Sequence, residues 1–407
     1  RIAAHPNVDL FNGNNEVEVA WGNWGFQIKY GLYGKAAKEI ESAYDALFKQ
    51  TAKNLTAESL IPYIHTSPLS NWGKADFYNH GSQHYWGVWH GKDPMEDFGK
   101  KIGRFNAEYG FQSFPEYSTL RAFSSEEDWD IDSEVMKHHQ KSYVGNDMIL
   151  KHAKRLYGKP ESFEEFVYFS QLTQAKAVSM AIAGHRVDSP RCGGTLVWQL
   201  NDCWPVSSWS SIDYFGNWKA LQYRMRDDYA EATVVAKYDG LDDVKYYLLS
   251  DLPGEHMIRA KLRVYDLKGK MLSEGERGSN LKAGHELPIP IDFMEKKCQK
   301  KHDRHIQFEI YVDDVKVGER TFDEIDSDRK YCSNKDISIE LIEVDENSKT
   351  AVIVIDNKKF VRDLWISSDI FGVRFSNNFQ SYLPGEHRIE ISFDEVPNVE
   401  QFKLMWN

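Results

Sequence analysis

Two glutamates in unlike surroundings carry the strongest chemical signal in this chain. Glu16 ends the stretch Phe11–Glu16, and Glu108 lies within Phe105–Gly110. Each follows a short apolar run that is typical of a buried strand, so each is expected where a strand ends and a loop begins. Barrel enzymes hold their catalytic groups at such strand ends. Two carboxyl groups across a shared cleft can protonate a leaving oxygen and attack a sugar carbon, which is how a glycosidic bond is cut with retention.

A glutamate after a strand is more often a salt-bridge partner than a catalytic group, so the flanking residues matter. They resemble the β-mannosidases of glycoside hydrolase family two. In that family an acid/base Glu closes a Gly-Asn-Asn-Glu stretch after the fourth barrel strand, and a nucleophilic Glu opens a Glu-Tyr-Gly stretch after the seventh. The matches here are Gly13–Glu16 and Glu108–Gly110. A third block, Trp198–Pro205 with the loop Asp213–Leu221, is similar to the family's eighth strand and the loop after it.

The resemblance implies a retaining, exo-acting enzyme that removes terminal non-reducing β-D-mannose. Glu108 would be its nucleophile and Glu16 its acid/base, and Asn15 would hold the sugar's 2-hydroxyl. The family places a Tyr against the nucleophile, but the matching position here is His90, which leaves His90 and Tyr85 as alternatives. Three tryptophans are further substrate-binding candidates, with the last at the floor of the sugar site: Trp24, Trp86 and Trp198.

Sister activities remain alternatives to mannoside hydrolysis. The doubled Asn before Glu16 favours mannosidases over the galactosidase and glucuronidase branches of the family. No metal or organic cofactor is predicted. The four cysteines form neither a Cys-x-x-Cys pair nor a His-Cys cluster, as zinc sites do. His84 and His90 stand near Trp86, but the one carboxylate close to them, Asp93, lies in a turn, so substrate contact is preferred over metal binding.

Composition excludes some partners. The chain has 407 residues, of which 50 are basic and 62 acidic, giving a formal net charge of −12. Because no basic run is interleaved with aromatics, a nucleic-acid partner is not expected. No apolar stretch reaches the roughly 20 residues that span a bilayer, so no membrane partner is expected either. Aromatic residues make up 14% of the chain, which suits sugar stacking as well as core packing.

Strands alternate with helices in the first half, which predicts the later part of a (β/α)8 TIM barrel over residues 1–229. The runs predicted as strands four to eight are Val8–Phe11, Leu60–Ile64, Tyr85–Trp89, Arg104–Ala107 and Gly194–Gln199. Helices are predicted over Lys35–Thr51 and Phe163–Gly184.

After Tyr229 the pattern changes to polar and apolar residues in alternation, separated by turns. This predicts two immunoglobulin-like β-sandwiches, over residues 230–327 and 328–407. No catalytic role is assigned to either of them. Their expected role is packing support for the barrel.

The first residues bear on what else the site needs. His5–Asn7 followed by Val8–Phe11 resembles the family's turn from its third helix into its fourth strand, so strands one to three and the domains before them are expected outside this chain. Those segments of the same parent protein would be its partners, together with a β-mannoside or oligosaccharide substrate. A closed barrel needs all eight strands, so the chain alone is expected to be inactive. A non-catalytic unit is the corresponding alternative hypothesis.

Overall fold

A computed structural model describes residues 5–70, 78–241, 243–291, 303–325 and 331–407. The chain divides into two compact units. The first comprises residues 1–86, 101–109 and 191–196, and the second comprises residues 87–100, 110–190 and 197–407.

The first unit contains four short strands. They are β1 (Phe11–Asn12), β2 (Tyr63–Ile64), β3 (Ser82–His84) and β4 (Phe105–Glu108). β1 pairs with β2 and β3 pairs with β4, both in parallel. Parallel pairs of this kind bring the carboxyl ends of neighbouring strands to the same edge.

Single backbone contacts extend this arrangement. Asn15 bridges Ser67 in parallel, and Asn106 bridges Thr195 in parallel. After β2, the amide of Ser70 donates to the carbonyl of Ser82 at 3.0 Å. Backbone contacts therefore join the neighbouring segments in chain order, from β1 through β4 to the bridge at Thr195.

Four α-helices lie between β1 and β2, and a 3-10 turn, Ala57–Ser59, follows the last of them. They are α1 (Val17–Asn23), α2 (Phe26–Tyr30), α3 (Lys35–Tyr44) and α4 (Ala52–Thr56), with a π-helical stretch Asp45–Thr51 between the last two. The predicted helix Lys35–Thr51 is confirmed as continuous helical structure, although its last two turns are wider than an α-helix.

Five α-helices precede the sheets of the second unit. They are α5 (Tyr117–Phe123), α6 (Glu134–His138), α7 (Gly145–Tyr157), α8 (Phe163–Val187) and α9 (Ala220–Asp228). Ser162 caps α8, because its side chain accepts a hydrogen bond from the amide of Glu165 at 3.1 Å. The helix predicted over Phe163–Gly184 is confirmed, and most of it is buried. Among the helices in the described ranges, none is long and apolar enough to cross a membrane.

Fourteen strands follow in the described residues. They are β5 (Ala232–Tyr238), β6 (Val244–Ser250), β7 (Glu255–Asp266), β8 (Met271–Lys282), β9 (His285–Ile289), β10 (Arg304–Val312), β11 (Val315–Glu324), β12 (Ile337–Asp345), β13 (Thr350–Asn357), β14 (Val361–Ser368), β15 (Arg374–Phe375), β16 (Gln380–Tyr382), β17 (Gly385–Ser392) and β18 (Phe402–Met405). Sheets β11-β10-β7-β8 and β5-β6-β9 share one apolar core. Sheets β12-β13-β17-β15 and β16-β14-β18 share another. The domain limits 1–229, 230–327 and 328–407 stay predictions.

Two strand predictions need correction. Tyr85–Trp89 is wrong as a strand, because β3 ends at His84. Its apolar side chains are buried without forming a strand, while the polar residues of β3 are nearly as buried, so hydrophobicity pointed to the wrong segment. Within Gly194–Gln199 the structure has one isolated bridge, at Thr195, instead of a full strand.

Candidate active site

The loop after β1 is fixed tightly against the chain beyond β2. Gly13 has no room for a side chain, since a Cβ there would lie 2.3 Å from the Tyr63 hydroxyl oxygen and 2.6 Å from the carbonyl oxygen of His65. Asn14 Nδ2 donates to that same His65 carbonyl at 2.6 Å. Asn14 Oδ1 accepts from the amide of Val17 at 3.2 Å. These contacts hold the residues that follow in one position.

Glu16 lies between this loop and α1 with a left-handed backbone, at φ 57°. Such a conformation is costly for a residue with a side chain, and it persists where the surroundings enforce it, often at functional sites. The Glu16 amide donates to the carbonyl of Ser67 at 2.7 Å, and the Glu16 carbonyl accepts from the amide of Ala20 at 2.7 Å. The backbone is thus held on both sides, and it aims a side chain that is 12% exposed.

His84 lies between the two glutamates. Its Nδ1 is 2.7 Å from Glu16 Oε1 and 3.4 Å from Glu108 Oε2. Its Nε2 is 2.9 Å from the hydroxyl oxygen of Ser67. One ligand atom from each of Glu16, His84 and Glu108 lies within 4.8 Å of the other two. The two carboxylates therefore face each other across a gap that a single imidazole nitrogen can bridge.

Strand pairing explains why these side chains meet. His84 is opposite Glu108 in the β3–β4 ladder, next to a register shift between Gln83 and His84. The carbonyl of Glu108 also accepts from the amide of Tyr85 at 2.9 Å. Since the two strands are parallel and the two residues are paired, both side chains lie at the same edge of the sheet, where the strands end.

Two further residues singled out in the sequence act on Glu108. The side chains of Trp86 and Asn15 lie close enough to its carboxylate to lower its pKa through hydrogen bonding. The structure thus brings together four of the seven candidate site residues: Glu16, Glu108, Asn15 and Trp86.

Several neighbours act on the pKa of Glu108 in opposite directions. Burial raises the pKa of Glu108 to about 7. The charge of His84 lowers that pKa, that of Glu16 raises it, and the hydrogen bonds from Trp86 and Asn15 lower it again. Burial has the largest effect, so this carboxyl group keeps its proton to a higher pH than an exposed glutamate does. The chemistry assigned from the sequence instead called for an ionised Glu108.

The other three candidates have different surroundings. Trp24 ends α1, is 51% exposed, and meets Phe26 edge-to-face with ring centroids 5.9 Å apart. His90 and Trp198 belong to the second unit. There the His90 ring stacks on Tyr143 with centroids 5.5 Å apart, and Trp198 is 42% exposed. Their roles in substrate binding stay predictions.

Sequence reasoning missed the position of His84. It was noted beside His90 and Trp86, but no role linked it to the two glutamates. The available signal was its place at the end of a strand next to the strand of Glu108. That signal was hidden because the apolar run after His84 was taken for the strand.

The same three side chains also offer ligand atoms for a metal ion. Glu16, His84 and Glu108 offer one nitrogen and two carboxylate oxygens, which suits a divalent transition metal. An ion held there would occupy both carboxylates, which the glycosidase chemistry expected from the sequence needs to be unoccupied. The two uses therefore exclude each other at any one time.

No protein-family model matches the chain. It is 30% identical over 325 residues to the β-mannosidase of Capra hircus, covering 73% of this chain and 36% of that protein. It is 32% identical over 229 residues to β-mannosidase B of Emericella nidulans, covering 53% and 26%. The crystal structure of β-D-mannosidase from Dictyoglomus thermophilum shares its fold, with a TM-score of 0.77, 21% identity, and coverage of 99% and 48%.

The chain thus spans 36% of the Capra hircus protein and 48% of the Dictyoglomus thermophilum chain. It belongs to the β-mannosidases of glycoside hydrolase family two and corresponds to their C-terminal region.

Proposed function

We propose that this chain supplies the two catalytic carboxylates of a retaining exo-β-mannosidase. The proposed reaction removes terminal non-reducing β-D-mannose by double displacement. One observation carries the proposal: oxygens of Glu16 and Glu108 lie within 4.8 Å of each other. Retaining enzymes separate their carboxyl groups by about 5–5.5 Å, whereas inverting enzymes need about 6.5–9.5 Å to admit a water.

In the first step Glu108 attacks the anomeric carbon while Glu16 gives its proton to the departing oxygen. A covalent mannosyl-enzyme results, and the negative charge of Glu108 disappears. Glu16 then acts as the base that takes a proton from water. That water releases mannose and restores both groups.

His84 has a positioning role in this scheme. Its Nδ1 lies within reach of both carboxylates, and its Nε2 is close to Ser67, so the ring cannot easily turn. Positive charge on the imidazole lowers the pKa of Glu108 and opposes the effect of burial. The imidazole would thus help to keep the nucleophile ionised while it holds Glu16 in place.

The same proposal covers the architecture and the partners. The parallel segments of the first unit would be strands four to eight of a (β/α)8 barrel, and the two sheet pairs of the second would be immunoglobulin-like domains. The joining of neighbouring segments in chain order supports the first assignment. Earlier barrel strands and domains of the same parent protein would complete the site, as a closed barrel requires.

A second assignment is favoured by one observation. Because burial raises the pKa of Glu108 to about 7, Glu108 has the protonation of a general acid. The roles of the two glutamates would then be exchanged, with Glu16 as the nucleophile. The family motifs support the first assignment, so we retain it.

Trapping the intermediate separates these assignments. A 2-deoxy-2-fluoro-mannosyl reagent with a good leaving group should label the complete gene product, and peptide mapping should find the label on Glu108. Label on Glu16 would establish the exchanged roles. Inverted configuration of the released sugar, followed by NMR, would refute the retaining mechanism. Higher kcat/KM on an aryl β-galactoside or β-glucuronide than on the β-mannoside would refute the substrate assignment.

A further inference from the structure

A pocket of about 700 Å³ opens beside Glu16 within the first unit. Its walls come from α1, α3, the start of α2 and the π-helical stretch. The volume falls in the range of small-molecule sites, about 300–1,000 Å³. Its apolar lining is mainly aromatic and consists of Trp21, Trp24, Phe26 and Tyr44 together with Val17, Ala20 and Ile40. Glu16 and Asn15 also form part of its wall.

The position of Glu16 determines what this pocket can bind. An acid/base residue must lie within hydrogen-bond distance of the oxygen that joins the mannose to its leaving group. We propose that the pocket binds the leaving group itself, the aglycone, and selects a ring-shaped, uncharged or cationic one. This inference rests on the proposed function, since it takes Glu16 as the acid.

The shape of the lining supports a ring-shaped occupant. Trp24 and Phe26 meet edge-to-face, and both contribute to the wall. Flat aromatic surfaces pack well against phenyl rings and against the C–H faces of sugar rings, and burying such a ring contributes substantially to binding. An aglycone as small as methanol would leave most of the pocket unfilled.

The charges in the wall define the second part of the proposal. Glu18, Glu41 and Asp45 line the pocket together with Glu16, against a single cation, Lys49. The Lys49 ammonium is already engaged, at 3.0 Å from an oxygen of Asp45 and 3.6 Å from one of Glu18.

Glu41 adds uncompensated negative charge to this wall. Its Oε1 accepts a hydrogen bond from Trp21 Nε1 at 3.1 Å, a donor that carries no charge. The wall therefore has an excess of negative charge, which disfavours an anionic aglycone. The effect is moderate, because exposed charges are screened by solvent and salt.

The test compares substrates that differ only beyond the glycosidic oxygen. In the complete gene product, Trp21→Ala should lower kcat/KM for phenyl β-mannoside about 10-fold, which is the effect of losing a buried aromatic contact. For methyl β-mannoside it should change kcat/KM by less than about twofold, because a methyl group does not reach the aromatic wall. Ile28→Ala is the matched control, since Ile28 is 77% exposed on α2 and does not line the pocket.

A second comparison tests the negative charge of the pocket wall and uses Glu41→Gln. This variant should raise kcat/KM for 3-carboxyphenyl β-mannoside relative to phenyl β-mannoside, and the difference should shrink in high salt. Equal losses on the phenyl and methyl substrates in Trp21→Ala would overturn the pocket assignment and leave the proposed function intact. No turnover of any β-mannoside by the unaltered protein would overturn the proposed function itself. If Trp21→Ala does not fold, Ile40→Ala makes the same comparison.

Discussion

Each unit of the chain contains a cluster of buried ionisable groups, and the two clusters differ in composition. The first unit has Glu16, His84 and Glu108, and burial raises the pKa of Glu108 to about 7. The second has Glu116 and Lys219: burial raises the pKa of Glu116 to about 8 and lowers that of Lys219 to about 8. A shifted pKa therefore occurs in both clusters and cannot by itself identify the catalytic one.

The difference lies in how the charges are compensated. In the second cluster Asp213 accepts hydrogen bonds from Thr119 at 2.6 Å and Asn217 at 3.1 Å. The Lys219 ammonium lies 3.3 Å from the carbonyl of Ser208, and the side chain is fully buried. Neutral side-chain donors and a backbone carbonyl thus surround the buried charged groups there. In the first cluster two like charges face each other beside a pocket, an arrangement that favours chemistry over stability.

The largest expected effect separates Glu108 from Glu116. Glu108→Gln should lower kcat on an aryl β-mannoside by at least about 10⁴, because an amide cannot form the glycosyl-enzyme. Glu116→Gln should leave kcat/KM within about twofold, because its amide oxygen can still accept from Gln171 and this residue has no proposed catalytic role. Steady-state kinetics of the complete gene product measures both. Similar losses in the two variants would mean that the comparison between the clusters is mistaken.

Glu16 should show a smaller loss that depends on the leaving group. Glu16→Ala should cost about 10²–10⁴ in rate with a poor leaving group, which departs only with a proton. An activated aryl group departs without one, so its loss should be smaller, and added azide should restore turnover by attacking the mannosyl-enzyme. A uniform loss that azide does not relieve would exclude Glu16 as the acid/base.

His84→Asn should act on pH dependence as well as on rate. An ionised Glu108 nucleophile requires kcat/KM to rise with pH through about 7, given its raised pKa. His84 charge lowers that pKa, so removing it should move the rise to higher pH, with a loss of about 10-fold at neutral pH. The profile should be measured on an activated aryl β-mannoside, where proton donation matters least.

The direction of that profile also tests the role of Glu108. If kcat/KM falls above about pH 7 in the unaltered protein, Glu108 is the acid and the roles are exchanged. A purely structural role for His84 would lower the rate equally at every pH and leave the midpoint unchanged.

How far the sequence could predict the site depends on the kind of signal. Gly13 and Asn14 precede Glu16, and their residue types can be read from the sequence. Gly13 permits a close approach to Tyr63, and Asn14 makes hydrogen bonds to the backbone. The proximity of Glu108 to Asn15 depends on pairing between distant segments, and only the family resemblance implied it. Neither local sequence nor the family resemblance indicated the place of His84. It ends a polar strand, which a search for hydrophobic patterns does not detect.

The fold shows the same division. The long helix Phe163–Val187 carries strong periodicity, and the structure has it close to its predicted limits, Phe163–Gly184. The strands of the first unit are only two to four residues long, too short for periodicity to set their ends. Their positions depend on pairing with neighbours, which single-sequence patterns do not contain.

The smallest expected effect concerns stability and completes the comparison. Glu116 has a pKa of about 8 in the folded protein, above its usual value, so its contribution to stability is fully present below about pH 4.5 and is lost as pH rises through 8. Lys219 acts in the opposite sense: its lowered pKa destabilises the fold below about pH 8, and this penalty is relieved as pH rises toward 10.5.

Glu116→Gln removes the first of these contributions while its amide oxygen can still accept from Gln171, whose Nε2 now donates to Glu116 at 3.2 Å. The fall in thermal unfolding midpoint between pH 5 and 8 should therefore be smaller by a few degrees in Glu116→Gln than in the unaltered protein, with kcat/KM unchanged. Glu108→Gln is the matched comparison. It should also reduce the fall in thermal unfolding midpoint with pH, up to about pH 7, but this variant should lose turnover. An unchanged slope in Glu116→Gln would mean that this carboxyl group keeps an ordinary pKa. Glu116 in the second cluster would then differ from Glu108 in the first in its pKa, as well as in the groups that surround it.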